Sequence, residues 1–389
     1  MTLLKYSFIA VVILVVQQAA RTEPFVDADF PPSTDAQRQG MLILQRFNET
    51  DERVDGSTYE RDFDSDFEQI CISLTMQCAE YIRKNRALVL QQMPDNPLFW
   101  QNYWASLEAS VMIYPGADDQ KPSPPEISRL SNLLEATAWW PMHELVKHGR
   151  IDVDKYVQWV RHIRRHSNDS NLLINKMVSL AMVFVADNAL NYVMWESLQT
   201  VASAGFLQLQ DLLMPMTVQE RSMRRTMQGE FAYSLGVIRD EGMVAGDEFE
   251  DGISVAAYTA DMKLLLSALA DISERNWGAF WSEGVDVVGQ SLVQQPLFST
   301  LEDEVSVVGA YDNYILSVGE QWVYRHLLLA LSDVYAGRVS AVSVARPDPP
   351  HWQWQWRSDP DEICLNPVSV HPSWKLAQEF CLPYYAEAH

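Results

Sequence analysis

The stretch Ser65–Leu90, SDFEQICISLTMQCAEYIRKNRALVL, carries the clearest helical pattern in the 389-residue chain. Its apolar residues recur at steps of three and four, which places them on one face of an α-helix. Ser65 and Glu68 have the spacing of a capping box, and Pro94 and Pro97 cannot continue a helix. The pattern therefore predicts one helix that is bounded at both ends.

The same stretch holds two of the four cysteines, Cys71 and Cys78. In an unbroken helix, residues seven apart lie about 10.5 Å apart along the axis, whereas a disulfide requires Cα atoms within roughly 7 Å. The helix therefore implies that each cysteine bonds Cys364 or Cys381 near the C-terminus. Two such bridges would join the C-terminal tail to this helix, although the spacing does not fix the connectivity.

The N-terminus indicates export from the cytoplasm. Lys5 precedes a run at 6–16 that is apolar apart from Ser7. Such a run is typical of a secretory signal and shorter than the about 20 residues of a membrane span. Gln18 disfavours cleavage after Ala20, so a cleaved signal and a signal anchor at residues 3–20 both stay open. Either version puts the rest of the chain outside the cytoplasm. A buried N-terminal helix in a cytosolic protein is the remaining alternative.

Cysteine count and charge narrow the classes of partner. An even number of cysteines in an exported chain favours disulfides, and their spacing matches no zinc pattern, so we predict no metal and no cofactor. The chain has 29 basic and 52 acidic residues, a net charge of −23. Such a surface repels nucleic acid and anionic lipid headgroups. We therefore expect no nucleic-acid partner, and membrane contact only through an uncleaved N-terminal segment.

The remaining patterns predict an all-α fold, an irregular multi-helix bundle stapled by disulfides. We expect a signal at 1–20, an acidic and partly extended linker region at 21–64, a helical domain at 65–342 and a tail at 343–389. Further helical patterns cover 37–47, 97–114, 126–148, 152–166, 171–202, 218–239, 254–274 and 305–336. No stretch after the N-terminus is predicted to be a second membrane span, because the most apolar one carries several polar residues.

The proline-rich tail contains Trp352, Trp354 and Trp356, which alternate with glutamines. A period of two predicts a short strand with three indoles on one face. The tail is too small to form its own core, so we expect it to pack across the helices. The three tryptophans are also candidates for binding a partner.

The most apolar helix carries Asp187 and Asn191 one turn apart. A buried carboxylate needs hydrogen bonds or a raised pKa, and such groups gather at active sites. Glu320 and His326 in the last long helix complete the set of candidate catalytic residues. Both are also plausible partners of Asp187, as are Asp312 and Arg325 in the same helix. We favour a structural network between helices over catalysis.

A basic stripe is the second candidate binding surface; its members are Arg161, His162, Arg165 and His166. The helical wheel predicts that both histidines point to solvent. The adjacent arginines disfavour a metal ion, so a plain solvated face is preferred and a site for an acidic partner is the alternative.

Two further patterns are weaker indications of a functional site. His143, Glu144 and His148 approximate the zinc-protease motif, but the second histidine is five residues from the first and the motif needs four. We treat this match as chance. Trp100 and Trp104 stand at helical spacing, which is more typical of core residues than of a platform for sugars.

These patterns predict an exported, periplasmic envelope protein that acts as a binding, assembly or scaffold factor for another envelope protein or complex. The alternative is a helical polysaccharide hydrolase or lyase that uses buried carboxylates and tryptophan platforms. A third possibility is a membrane-tethered scaffold. Convergence of Asp187, Asn191, His326 and an arginine in one open, aromatic-lined cleft would favour the enzyme. The sequence predicts neither the ligand nor the oligomeric state.

Overall fold

The computed structural model describes residues 35–49, 67, 70, 71, 73–93, 96–109, 127–199, 203–214, 216–240, 242–248, 254–284, 305–337, 347–358, 361–372, 374 and 379–385. The predicted signal at 1–20, and the linker apart from its helix at 35–49, lie outside these residues. The described chain is mainly helical and ends in a small sheet, which confirms the predicted fold class.

The helices are α1 Asp35–Glu49, α2 Met76–Lys84, α3 Arg86–Gln92, α4 Pro97–Glu108, α5 Ile127–His148, α6 Val153–Asp169, α7 Leu173–Gln199, α8 Ser203–Asp211, α9 Val218–Arg221, α10 Arg224–Asp240, α11 Val255–Glu274, α12 Trp277–Glu283 and α13 Val305–Tyr335. The strands are β1 Trp352–Ser358, β2 Asp361–Pro367 and β3 Phe380–Pro383. The long helices match their predictions closely. The pattern at 218–239 proved to be two helices, and the short helices α8 and α12 were not predicted.

The stretch that the sequence predicts as one helix is broken before Met76. Thr75 has extended backbone angles, and its side chain accepts a hydrogen bond from the backbone N–H of Cys78. A threonine in this position starts a new helix instead of continuing an old one. The break brings the Cα atoms of Cys71 and Cys78 to 4.9 Å, and the two form a disulfide. The prediction of an unbroken helix was wrong, and so was the need for distant cysteine partners.

The second disulfide lies inside the C-terminal sheet. The three strands are antiparallel in the order β1–β2–β3, and Cys364 and Cys381 are directly paired neighbours on β2 and β3. Their Cα atoms are 4.1 Å apart and their sulfurs are bonded. The bridge therefore staples the tail to itself and does not join it to α2. The single predicted strand is one of three.

Hydrogen bonds and packing attach the tail to the helices. The indole of Trp374 donates to the carbonyl of Phe280 at 2.9 Å, and its ring stacks on the Phe280 ring at 4.8 Å. The backbone N–H of His371 donates to the carbonyl of Trp281 at 2.8 Å. The expected packing of the tail across the helices is thus present, although no disulfide contributes to it.

Helix α7 runs through the core and packs against α5, α6, α8, α10 and α13. It is the one described helix that is long and apolar enough to cross a membrane, yet 67% of its most apolar window is buried inside the protein. Polar side chains on α7 are buried as well, among them Lys176, Asp187 and Asn191. This burial is the environment of a core helix.

A glycine permits a close approach between α10 and the turn that joins α6 and α7. A Cβ atom on Gly229 of α10 would lie 1.6 Å from the carbonyl oxygen of Asn171, in the turn between α6 and α7. Only glycine fits at such a distance from backbone. This contact holds α10 against the end of α6, beside the buried hydrogen bond from Thr226 to the Ser170 carbonyl.

Candidate binding cleft

The candidate catalytic residue Asp187 is part of a buried ionic network. Its side chain is 1% exposed and lies 3.0 Å from the guanidinium of Arg164 and 3.8 Å from that of Arg325. Arg325 also pairs with Glu220 at 3.2 Å. Two carboxylates thus face two arginines, and the network joins α6, α7, α9 and α13. Arg325 is one of the four partners that the sequence suggested, whereas Arg164 was not among them.

Asn191, one turn after Asp187 on α7, forms a hydrogen bond with the C-terminal tail. Its amide N–H donates to the carbonyl of Pro383 at 2.9 Å, and its carbonyl accepts from the hydroxyl of Tyr335 at 2.9 Å. Both polar ends of this buried side chain therefore bind other parts of the fold. The role that these contacts support is structural.

Glu320 and His326 also lie on α13, but on faces of the helix that differ from that of Arg325. Glu320 is half-buried, and this burial raises the pKa of its carboxyl group. The His326 ring packs edge-on against Trp322, with centroids 4.4 Å apart. None of the four candidate catalytic residues lines the open cleft described below.

The two histidines of the basic stripe are less exposed than predicted. Arg161 and Arg165 are both exposed, and Arg165 also donates to the carbonyls of Leu107 and Glu108 at 2.7 Å each. His166 is only 1% exposed, so the expectation that it points to solvent was wrong. The reason is that the C-terminal end of α4 covers a side of α6 that a helical wheel treats as open.

Burial also sets the protonation of the two histidines in this stripe. Desolvation, helped by the positive charge of Arg165, lowers the pKa of His166 to about 3. The same two causes lower the pKa of the half-buried His162. His162 packs edge-on against Trp104, with centroids 6.3 Å apart. The stripe therefore consists of two exposed arginines, one of which binds the end of α4, and two histidines that are partly or fully buried.

The three tail tryptophans serve mainly to pack the sheet. Trp352 is buried, with its ring edge-on to Trp281 at 5.1 Å. Trp354 donates its indole N–H to the carbonyl of Pro347 at 3.2 Å. Trp356 packs edge-on against Tyr384 at 5.7 Å, and the last two indoles remain half-exposed. As binding residues, these three stay a prediction.

An open cleft of about 340 Å³ lies where α4, α5 and α6 meet. Each helix contributes side chains from one face, because residues three and four apart in a helix lie on the same side. The lining residues are Pro97, Trp100, Gln101, Trp104, Trp140, His143, Glu144, Lys147, His148, Lys155 and Gln158. We call this set the aromatic cleft.

Tryptophans form the wall of the aromatic cleft. Trp104 and Trp140 pack edge to face with centroids 5.4 Å apart, and Trp100 lies over the His143 ring at 4.4 Å. Trp100 and Trp140 are almost fully buried, whereas Trp104 is partly exposed. The expectation that Trp100 and Trp104 are core residues therefore holds for the first, whereas the second packs against the core and is only partly buried.

An ion pair crosses the cleft beside this wall. The ammonium of Lys155 lies 2.7 Å from a carboxylate oxygen of Glu144, and His148 is 3.9 Å from the other oxygen. The same ammonium lies 5.7 Å from the ring centroids of both Trp104 and Trp140, a distance at which a cation is attracted to an indole face. Three contacts thus fix the position of Lys155.

Glu144 is therefore used differently from the glutamate of a zinc protease, because Lys155 binds its carboxylate. Within the described ranges, one group has side chains close enough to share a metal ion: Glu362, Cys364 and Cys381. Two of its members are joined to each other as a disulfide. This group therefore offers no thiolate ligands while the bridge is intact.

The sequence carries a signal for the cleft in residues whose spacing alone favours a core position or a chance match. Trp140 and Glu144 are one turn apart on α5, and Trp100 and Trp104 are one turn apart on α4. Aromatic and charged residues that share a helix face are unusual for a fully buried face. What the sequence could not supply is the approach of Lys155 from a third helix.

No protein-family model, curated protein or solved structure matches this chain.

Proposed function

We propose that this chain is an exported binding protein of the bacterial envelope and that it recognises another envelope component in the aromatic cleft. The observation that carries the proposal is the pairing of a partly exposed indole, Trp104, with the fixed ammonium of Lys155. Small-ligand sites combine an apolar wall with a few well-placed polar groups in this way. A site that is already held in place loses little entropy on binding.

Export is supported by two independent features. Both disulfides, Cys71–Cys78 and Cys364–Cys381, are of a kind that persists in oxidising compartments. The apolar run at 6–16 after Lys5 has the pattern of a secretory signal. We place the protein in the periplasm, either free or tethered to the inner membrane by residues 3–20. The mass of the mature chain distinguishes these two forms.

Binding is favoured over polysaccharide hydrolysis by the carboxylates of the cleft. Glycoside hydrolysis uses two carboxyl groups roughly 5–10 Å apart, one of them free to act as an acid. Among the lining residues, Glu144 alone carries a carboxylate, and Lys155 binds it at 2.7 Å. A hydrolase or lyase remains the second candidate, because Glu144 does lie beside a tryptophan wall. Turnover of envelope polysaccharide by the purified protein would establish it.

A photo-crosslinking amino acid placed at Gln158 tests the proposal. Gln158 is exposed at the rim of the cleft, so a bound component would lie within reach of the probe. We expect a crosslinked envelope component in cells, and its loss when Trp104→Ala is combined with the probe. The same probe at Leu207, which is 61% exposed on α8 and outside the cleft, serves as the control.

The proposal would be overturned by either of two results. One is the absence of any crosslink from Gln158 in cells that export the folded protein. The other is an identical set of crosslinks from the Gln158 and Leu207 positions, since this would show that capture does not depend on the cleft.

A further inference from the structure

We infer that the ligand of the aromatic cleft is an acidic saccharide, a sugar unit that carries a carboxylate. This inference rests on the proposed function, because it assigns a ligand class to the same site. It follows from three properties of the cleft: its partly exposed indole, the sign of the charge left for a ligand, and the hydrogen-bonding groups at its rim.

The indole supplies the surface on which a sugar ring packs. The C–H face of a pyranose is flat and apolar, and an indole is a large flat partner with little conformational freedom. Trp104 presents such a face, since its edge contact with Trp140 holds the ring while part of it stays exposed. A volume of about 340 Å³ is at the small end of the range for ligand pockets, roughly 300–1,000 Å³.

Lys155 disfavours a cationic ligand, because its ammonium already fills the position where a cation would bind. Tryptophan faces next to a carboxylate would ordinarily bind a cation. Here the ammonium of Lys155 fills that position, because it contacts Glu144 at 2.7 Å and lies over both Trp104 and Trp140. An external cation would have to displace a cation that belongs to the chain.

The charges that remain for a ligand are positive. Lys147 and His148 are exposed and line the cleft with Lys155, so up to three cations oppose the single carboxylate of Glu144. The chain as a whole has a net charge of −23. A local excess of positive charge in an acidic protein attracts an anion to that place.

Lys155 can bind Glu144 and a ligand together. An ammonium group has three donors, and 41% of the Lys155 side chain remains exposed although one donor is directed to Glu144. A ligand carboxylate can therefore be received without breaking the internal pair. The amides of Gln101 and Gln158, both exposed at the rim, can donate to and accept from sugar hydroxyls.

A simple inorganic anion explains the cleft less completely than an acidic sugar. It would use Lys147, His148 and Lys155 but leave the indole of Trp104 without a role. A neutral sugar would use the indole but not the cations. Only a ligand with both a flat apolar face and a negative charge uses every part of the site.

The test compares an acid with its own neutral ester. The exported chain is titrated by calorimetry with a trisaccharide of galacturonic acid and with the same trisaccharide as its methyl ester, which keeps the ring and removes the charge. We expect the acid to bind at least about tenfold more tightly than the ester, and to weaken as salt is raised. Trp104→Ala should abolish the binding of both.

Two lysine variants separate charge from shape. Lys147→Gln changes an exposed side chain and should reduce the preference for the acid about threefold or more. Lys155→Met should reduce the preference for the acid further. The circular dichroism spectrum of this variant shows whether it is folded. Lys84→Gln, an exposed lysine outside the cleft, is the matched control and should leave both affinities unchanged.

Each outcome has a defined meaning. Equal binding of the acid and the ester overturns the inference on charge, and full competition by equimolar inorganic phosphate overturns the inference on the sugar. If neither trisaccharide binds while the Gln158 crosslink persists, or if the crosslinked component is a protein, the saccharide is wrong and the proposed function stands. If the crosslink is absent as well, the proposed function fails with it.

Discussion

Lys155 and Glu144 form an ion pair of 2.7 Å in which the two partners differ in exposure: 41% of the lysine side chain is accessible, against 5% of the glutamate. The glutamate is thus committed to the interior of the cleft, whereas the lysine faces both its partner and the solvent. This difference lets one residue serve the fold and the other serve a ligand.

Loss of the lysine should destabilise the protein through its partner. In Lys155→Met the carboxylate of Glu144 stays buried without its cation, which costs roughly 1–3 kcal/mol. Urea unfolding followed by fluorescence measures this change. The double variant Lys155→Met/Glu144→Leu should recover most of the stability, because it removes the buried charge too. A single variant as stable as the wild type would show that the pair contributes nothing.

Asp187 should be important for stability and unimportant for binding. Asp187→Asn leaves Arg164 and Arg325 without their shared carboxylate, and breaking a buried pair typically costs roughly 3–5 kcal/mol. We expect this loss in urea unfolding, with the cleft crosslink from Gln158 retained in whatever fraction is folded. Asp154→Asn on the exposed face of α6 is the control. Loss of the crosslink from folded Asp187→Asn protein would mean that the ligand site lies elsewhere.

The disulfide pairing is directly measurable. Peptide mapping without reduction should yield Cys71 linked to Cys78, and Cys364 linked to Cys381. Cys364→Ser with Cys381→Ser should cost roughly 2–4 kcal/mol of stability, and the shorter loop of the other bridge should cost less. A peptide that joins either of the first two cysteines to either of the last two contradicts the fold described here.

His166 should make the protein sensitive to acid. Its folded pKa of about 3 lies below the ordinary value of 6.5, so between those values the unfolded chain binds the proton and the folded chain does not. Stability therefore falls as the pH falls through this window, by roughly 3 kcal/mol at pH 4.5. His166→Gln lacks this contribution, and a comparison of urea unfolding at pH 7 and pH 4.5 measures it.

The control for this prediction is Leu207→Gln, which changes an exposed side chain that carries no titratable group. It should keep the pH dependence of the wild type. An unchanged slope in His166→Gln would show that other groups cause the loss of stability in acid.

Patterns within one segment were sufficient to predict most of the helices. The periods at 126–148, 152–166 and 254–274 gave helices within a few residues of those observed, because an amphipathic face is a local property. The break before Met76 was missed because Thr75 lies in an otherwise continuous apolar pattern. Its capping hydrogen bond competes with the helix and outweighs the pattern.

The candidate sites were harder to predict, since they depend on which helices meet. The sequence suggested Arg325 as one of four plausible partners of Asp187 in the last long helix, and the structure shows that pair. It gave no indication that α4 covers His166, or that Lys155 reaches Glu144 from another helix. Such contacts are set by packing between segments distant in sequence.

Lysine labelling in living cells tests the central claim, an exported protein with an occupied cleft, most directly. A small, charged, amine-reactive reagent that crosses the outer membrane but not the inner one labels only the lysines of exported proteins. We predict that the exposed Lys84 is modified in cells as readily as in the purified protein, whereas Lys155 is protected in cells and reactive once purified. Equal modification of Lys155 in both states, or no modification of Lys84 in cells, would contradict the account.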